Sequence, residues 1–245
     1  MKLCKTHVVR VCLFSLAIFL LATLLLATPP AYCQRVTVGI DAGQTSDKFG
    51  NSGQTTAFVG GLEGQVIVLR GSEKSANPDV VAGGEMLFPS NSASHATEYA
   101  VFGGVIFHPR GAFSVGFHVQ IRKLDLPPTV SAGMVFNRDN LELLQTPLVL
   151  EYKFGRARHA FIEAQGEPEF TPHYKAPAAG ASGLPNPNFN YGYTVRGSVG
   201  YNFGKWYAKG TYETRYFKFT QTLGNPGGLY NWRTDRAMGG VGLVF

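Results

Sequence analysis

Five histidines lie beyond residue 33 of this 245-residue chain, at His95, His108, His118, His159 and His173. Histidine titrates near neutral pH and is the commonest general base, so each is weighed for a partner. His118 lies on the polar side of an alternating segment and Glu98 on that of the neighbouring one. A His–carboxylate pair for general-base work is geometrically conceivable there. A structural hydrogen bond is the plainer reading, because no serine nucleophile is fixed beside His118 by the pattern. His173, followed by Tyr174 and Lys175, falls in a long connection, where it suits either contact with a ligand or simple solvation. Asp41, Glu98, Glu151 and Glu163 are carboxylates without a readable separation, so no glycosidase arrangement follows. Nor is there a Gly-rich phosphate loop, a helical pair of metal-binding histidines or a Gly-x-Ser-x-Gly elbow. The three cysteines, Cys4, Cys12 and Cys33, all precede residue 34, which leaves the rest of the chain without a disulfide framework or a thiolate ligand set. No catalytic, cofactor-binding or metal residue is assigned, no cofactor is expected, and the chain is expected not to be an enzyme.

The elements that must position these groups are strands. From Ala112 to Arg122, apolar Phe113, Val115, Phe117, Val119 and Ile121 alternate with Ser114, Gly116, His118, Gln120 and Arg122, the period-two pattern of a strand with one apolar face. Leu141 to Phe154 repeats it, with Pro147 marking a bulge. So do Tyr191 to Phe203 and Trp206 to Thr220. Weaker strands run over Arg35 to Ala42, Thr97 to Phe107 and Arg158 to Glu167, and a last one over Arg233 to Phe245. These eight strands predict an all-β, antiparallel barrel.

Their connections alternate in length. His108 to Gly111, Gly155 to Ala157 and Gly204 to Lys205 are tight turns, whereas Gly43 to Ala96, Lys123 to Asn140, Pro168 to Asn190 and Gln221 to Trp232 are long. The first long stretch is the weak point, because a loop of that length is uncommon. It holds short Gly-rich extended pieces at Thr56 to Gly60, Gln65 to Gly71 and Val80 to Phe88, and two full strands there raise the count to ten. The apolar face carries aromatics near both rims, Phe107, Tyr152, Tyr201 and Trp206 on one and Tyr99, Tyr191, Tyr193 and Tyr216 on the other, as two interfacial belts would. The polar face carries charges of both signs, including Glu98, Arg122, Glu167, Arg196, Glu213, Arg215 and Arg236. An apolar-out, polar-in barrel is the favoured reading.

At the start, Lys2, Lys5 and Arg10 precede an uncharged apolar run from Val11 to Ala27 and the breaker Thr28-Pro29-Pro30. That is the order of an export signal, expected to span 1–33 with cleavage before Gln34. Its removal takes the formal net charge from +6 to +3, too mild to suggest a nucleic-acid partner. The remainder, 34–245, is one barrel domain with a long first loop at 43–96. Its last strand places Val241, Leu243 and Phe245 on one face.

Signal, alternating strands, unequal rims and terminal Phe245 together resemble the outer-membrane β-barrel family similar to outer membrane protein A. The resemblance is architectural and covers Arg35 to Phe245. It implies a monomeric, non-enzymatic barrel in the cell outer membrane, in contact with lipid and lipopolysaccharide, delivered through its C-terminal strand to the barrel assembly machinery. It also implies a structural or surface-recognition role, without an appended peptidoglycan-binding domain. The rival readings are a lipid-modifying barrel enzyme, which needs a nucleophile and base converging near a membrane interface, and a soluble secreted barrel binding a small apolar ligand, which needs its apolar faces turned inward.

Overall fold

The computed structural model describes residues 35–49, 53–71, 77–92, 95–125, 129–131, 134–136, 140–155, 159–174, 187–221 and 230–245. The expected export signal and its cleavage site lie outside them, as do 175–186 and 222–229.

The strands are β1 (Arg35–Phe49), β2 (Thr55–Leu69), β3 (Asp79–Pro89), β4 (Thr97–Arg110), β5 (Phe113–Asp125), β6 (Thr129–Ser131), β7 (Met134–Phe136), β8 (Asn140–Gln145), β9 (Leu148–Phe154), β10 (Ala160–Tyr174), β11 (Pro187–Asn202), β12 (Trp206–Gln221) and β13 (Tyr230–Val244). The short pair β6 and β7 stands apart as a hairpin between β5 and β8. The others form one antiparallel sheet in which, β8 and β9 together counting as one strand between β5 and β10, each strand pairs with the next and β13 returns to β1, from Thr37 opposite Val244 to Phe49 opposite Trp232. Phe245 extends the seam: its amide donates to the Val36 carbonyl at 2.8 Å, and the Val36 amide donates back at 3.2 Å. Closure removes the sheet edges that would otherwise stay unpaired.

β8 and β9 are one wall strand interrupted at Thr146-Pro147, since both pair with β5 and with β10. Proline has no amide to contribute, so the ladder breaks as the sequence foretells. The Pro147 carbonyl still accepts from the His118 amide at 3.0 Å. The barrel therefore has ten wall strands, the alternative that the extended pieces within 43–96 leave open, rather than eight, and that stretch is not one long loop. β1 continues to Phe49, and β2 and β3 fill most of the rest. The reason they are hard to read is that both their faces are mixed. Val81 and Leu87 point inward with Asp79 and Glu85, while Gly60, Gly64 and Gly84 lie in the outward rows, so period-two contrast is lost. β10 likewise runs past Glu167 to Tyr174 through a register shift at Glu169/Thr171, which places His173 on a strand opposite Glu142 rather than in a connection.

Arg35, the first described residue, and Phe245 lie at one end of the barrel, here the terminal end. Here β2 leads to β3, β4 to β5, β9 to β10 and β11 to β12, and Gly155 and Gly204, beyond the ends of β9 and β11, have positive φ of 87° and 85°. The outward face is apolar, with Val119 57% exposed and Val199 59%. Aromatic pairs gather at both rims: Tyr201–Phe203 (4.7 Å between centroids) and Tyr152–Phe154 (6.5 Å) near the terminal end, Tyr193–Tyr216 (5.7 Å) and Phe88–Tyr99 (6.1 Å) near the far end.

One inward tyrosine shows why the glycines matter. The Tyr207 ring lies against Gly242 and its hydroxyl against Gly39, and a Cβ at either position would overlap it. Gly242→Val is expected to lower the unfolding free energy of the folded barrel by about 1–3 kcal/mol through overpacking. In urea titrations, Tyr207→Ala should recover part of that loss in the double variant.

Candidate functional site

The polar residues of the strands meet in a lumen that is layered along its axis. The middle layer is ionic. Glu98 on β4 accepts from Arg122 on β5 (2.9 Å), Arg215 on β12 (2.9 Å) and Arg236 on β13 (2.5 Å). Glu213 on β12 accepts from Arg196 on β11 (2.6 Å), Arg215 (3.0 Å) and Arg236 (3.0 Å). Arg196 grips Glu85 on β3 with both terminal nitrogens, at 2.8 and 3.0 Å, in the two-pronged geometry suited to guanidinium and carboxylate. Glu167 on β10 lies 3.6 Å from Arg122. Arg122 Nε also donates to the Gln145 amide oxygen at 3.2 Å.

Four arginines face four glutamates here, so the layer carries no net charge. Arg215 and Glu213 are 0% exposed, and Glu98 and Arg236 are 2% and 3%. Burying one charge alone is very costly, whereas a paired and hydrogen-bonded set offsets most of that cost. Val59, Leu87 and Met238 pack beside this layer, Leu87 opposite Glu98, and toward the far end lie Phe217, tilted against Trp232 at 5.2 Å between centroids, and His95 bonded to Asp47 at 2.5 Å.

On the terminal side the same layer is the inner wall of a cavity of about 740 Å³, with Glu85 and Arg196 among its lining. Lys209 pairs with Glu63, which also accepts from Tyr207 Oη at 2.6 Å. Nearer the mouth, His108 lies between two partners. Its Nδ1 is 2.9 Å from Ser114 Oγ, and its Nε2 is 3.0 Å from Asp79 Oδ2.

The proposed His118–Glu98 pair does not form. His118 stacks on Phe102 at 5.1 Å and stands opposite Gly104, while Glu98 is taken by three arginines. Of the four carboxylates weighed, Glu151 and Glu163 face each other across β9 and β10, Glu98 belongs to the ionic layer, and Asp41 lies 4.0 Å from Lys209. The side chain of His173 lies outside the described residues. Sequence reasoning missed the Asp79–His108–Ser114 cluster for a traceable reason. His108 and Ser114 flank a tight turn and are legible as neighbours, but Asp79 lies inside the stretch read as a loop.

Removing one member of the ionic layer leaves the others uncompensated. Arg215→Leu is expected to cost about 3–5 kcal/mol in denaturant unfolding. The double variant Arg215→Leu/Glu213→Leu, which restores neutrality, should cost less than the two single changes added together.

No family model matches the chain, and no curated protein matches it either. Solved structures do. The outer membrane protease OmpT of Escherichia coli is similar over 86% of this chain and 97% of its own, at a TM-score of 0.51 and 9% identity. An outer membrane channel of Pseudomonas putida F1 is similar over 89% of this chain and 100% of its own, at 0.43 and 10%. The KdgM porin is similar over 84% of this chain and 99% of its own, at 0.39 and 12%. At such identities the OmpT likeness carries the architecture alone, and with the closed ten-stranded wall it gives the conclusion that this chain has the fold of a bacterial outer-membrane β-barrel.

Proposed function

We propose that the chain resides in the cell outer membrane as a barrel whose lumen is closed to solute flow, with a structural or surface-recognition role rather than that of a channel. The observation that carries this reading is the neutral layer of four arginines and four glutamates, joined across strands β3, β4, β5, β10, β11, β12 and β13. A conduit would need a continuous open path, and among the described residues the ionic layer, the Val59–Leu87–Met238 cluster beside it and the Phe217–Trp232 pair beyond it occupy the lumen. The terminal end, with its cavity, is assigned to the periplasm, and the far end to the cell surface. Lipid and lipopolysaccharide then surround the outward band, the assembly machinery engages the closing strand β13, and the barrel stands as a monomer. The soluble-barrel alternative loses ground to the outward position of residues such as Val119, Ile121 and Val199, all more than half exposed.

Purified protein in planar bilayers is expected to give no stepwise conductance, and steady ohmic steps would refute the sealed lumen. The membrane setting has its own check. Val119→Arg on the outward band is expected to cost about 2–4 kcal/mol in lipid and to reduce the heat-shifted band on SDS gels. Equal assembly of that variant would remove the lipid-facing assignment.

A further inference from the structure

The cluster at the mouth of the cavity has a chemistry that a sealed barrel does not require. Asp79 opens β3, His108 lies near the end of β4 and Ser114 opens β5, three consecutively paired strands whose inward faces bring the side chains together. Asp79 and Ser114 are 7% and 5% exposed, yet both line the cavity together with His108. Asp79 is held in place by the Gly71 amide, which donates to its other oxygen at 2.7 Å.

The hydrogen-bond roles follow from the donor inventory. An ionised carboxylate only accepts, so the Nε2 facing Asp79 carries the proton of the neutral ring. Nδ1 is then a lone pair, and the Ser114 hydroxyl at 2.9 Å donates to it. A hydroxyl aimed at a basic nitrogen, with the ring oriented by a buried carboxylate, is the arrangement that activates a serine. The ring nitrogens are used in the opposite order from the serine proteases, but the direction of proton flow is the same.

We propose that Ser114 is a nucleophile and His108 its general base, with Asp79 as a positioning residue, acting on a small water-soluble carboxylic ester that enters from the terminal-end mouth. Ser114 Oγ bonds to the ester carbon as its proton passes to His108 Nδ1. The tetrahedral adduct then expels the alcohol, which takes that proton. Water, deprotonated by the same nitrogen, cleaves the acyl-serine, releasing the carboxylic acid and restoring Ser114.

The room beside Ser114 is narrow and limits the ester to a short acyl group: a Cβ built on Gly116, two residues along the same face, would stand 3.3 Å from His118 Nε2, 3.3 Å from Val149 and 3.6 Å from Ile106. Ser114 stands opposite Glu151, whose carboxylate holds Lys153 at 3.0 Å, so the polar part of the ester meets groups of both signs. This assignment goes beyond the sealed-barrel reading and departs from the expectation of a chain without enzymatic activity. It needs only the mouth of the barrel, and neither conductance nor the lipid-facing band bears on it.

The test uses the full chain, folded in detergent, with a fluorescent fluorophosphonate. Attack by Ser114 forms an oxygen–phosphorus bond and expels fluoride, leaving a permanent tag. The folded wild type is expected to be tagged on the peptide carrying Ser114, and Ser114→Ala should abolish the signal. His108→Gln should slow tagging at least about a hundredfold, the lower range for loss of a general base. Asp79→Asn should lower the maximal rate at least about tenfold and leave the half-saturating probe concentration unchanged, a split that a merely structural role would not produce. Each variant is checked for the heat-dependent gel shift of the folded barrel. If one fails to fold, mass mapping of the wild-type tag decides: a tag on Ser114 upholds the assignment, and a tag elsewhere overturns it. Folded wild type tagged no faster than boiled protein would also overturn it, as would undiminished tagging of Ser114→Ala.

Discussion

The rest of the structure depends on a single electrostatic constraint, that charges inside a narrow barrel must neutralise one another. Arg122, Arg196, Arg215 and Arg236 come from four strands, and Glu85, Glu98, Glu167 and Glu213 also come from four. No two neighbouring strands supply the whole set, so only a closed wall in the correct register assembles it. A slip of one residue in any pairing would turn that strand's charges to the outer face and leave their partners buried alone, which is far more costly than a lost surface contact. The layer thereby specifies the closed register. It also occupies the lumen between the Phe217–Trp232 pair and the cavity at the terminal end.

The inversion of the usual globular arrangement follows from the same geometry. In a strand, alternate residues belong to opposite faces, so whatever is placed inside determines what is left outside. With arginine, glutamate, glutamine and threonine inside, the outer rows are filled by Val, Ile, Leu and the aromatic residues at each rim. Glycine is needed where large inward rings cross the wall. Tyr207 lies against Gly39 and Gly242, and its hydroxyl reaches Glu63 only because those positions carry no side chain. The cavity is bounded by such compromises between bulky rings and bare backbone.

The mouth cluster shows how a rigid wall arranges side chains as a flexible loop would not. Asp79, His108 and Ser114 lie at strand ends: Asp79 forms the last pair of the β3–β4 ladder, Ser114 pairs with Glu151 on β9, His108 sits in the irregularity between Phe107 and Arg110, and the Gly71 amide secures the carboxylate. Groups held by paired strands lose little conformational freedom when they meet, so their hydrogen bonds are preorganised. The cluster lies on the opposite side of the ionic layer from the Phe217–Trp232 pair.

Much of this was legible in the residues alone. Strict alternation over Phe113 to Arg122 and Tyr191 to Phe203 declared strands with one apolar face, and every charged residue assigned to the polar face there lies inside the barrel. Pro147 announced the break between β8 and β9, because a residue without an amide cannot donate to the ladder. What the local pattern could not declare were β2, β3 and the outer part of β10, where glycine, proline and inward Val81 and Leu87 erase the contrast between faces. Partner choice was equally hidden. Glu98 looked available to His118 on an adjoining strand, but closure brings Arg215 and Arg236 to it from 117 and 138 residues away, and a guanidinium outcompetes an imidazole for a buried carboxylate. Alternation is a property of neighbours along the chain and can be read from them. Charge pairing across a lumen, and the meeting of Asp79 with His108 and Ser114, depend on strand count and register, which only the closed tertiary structure decides.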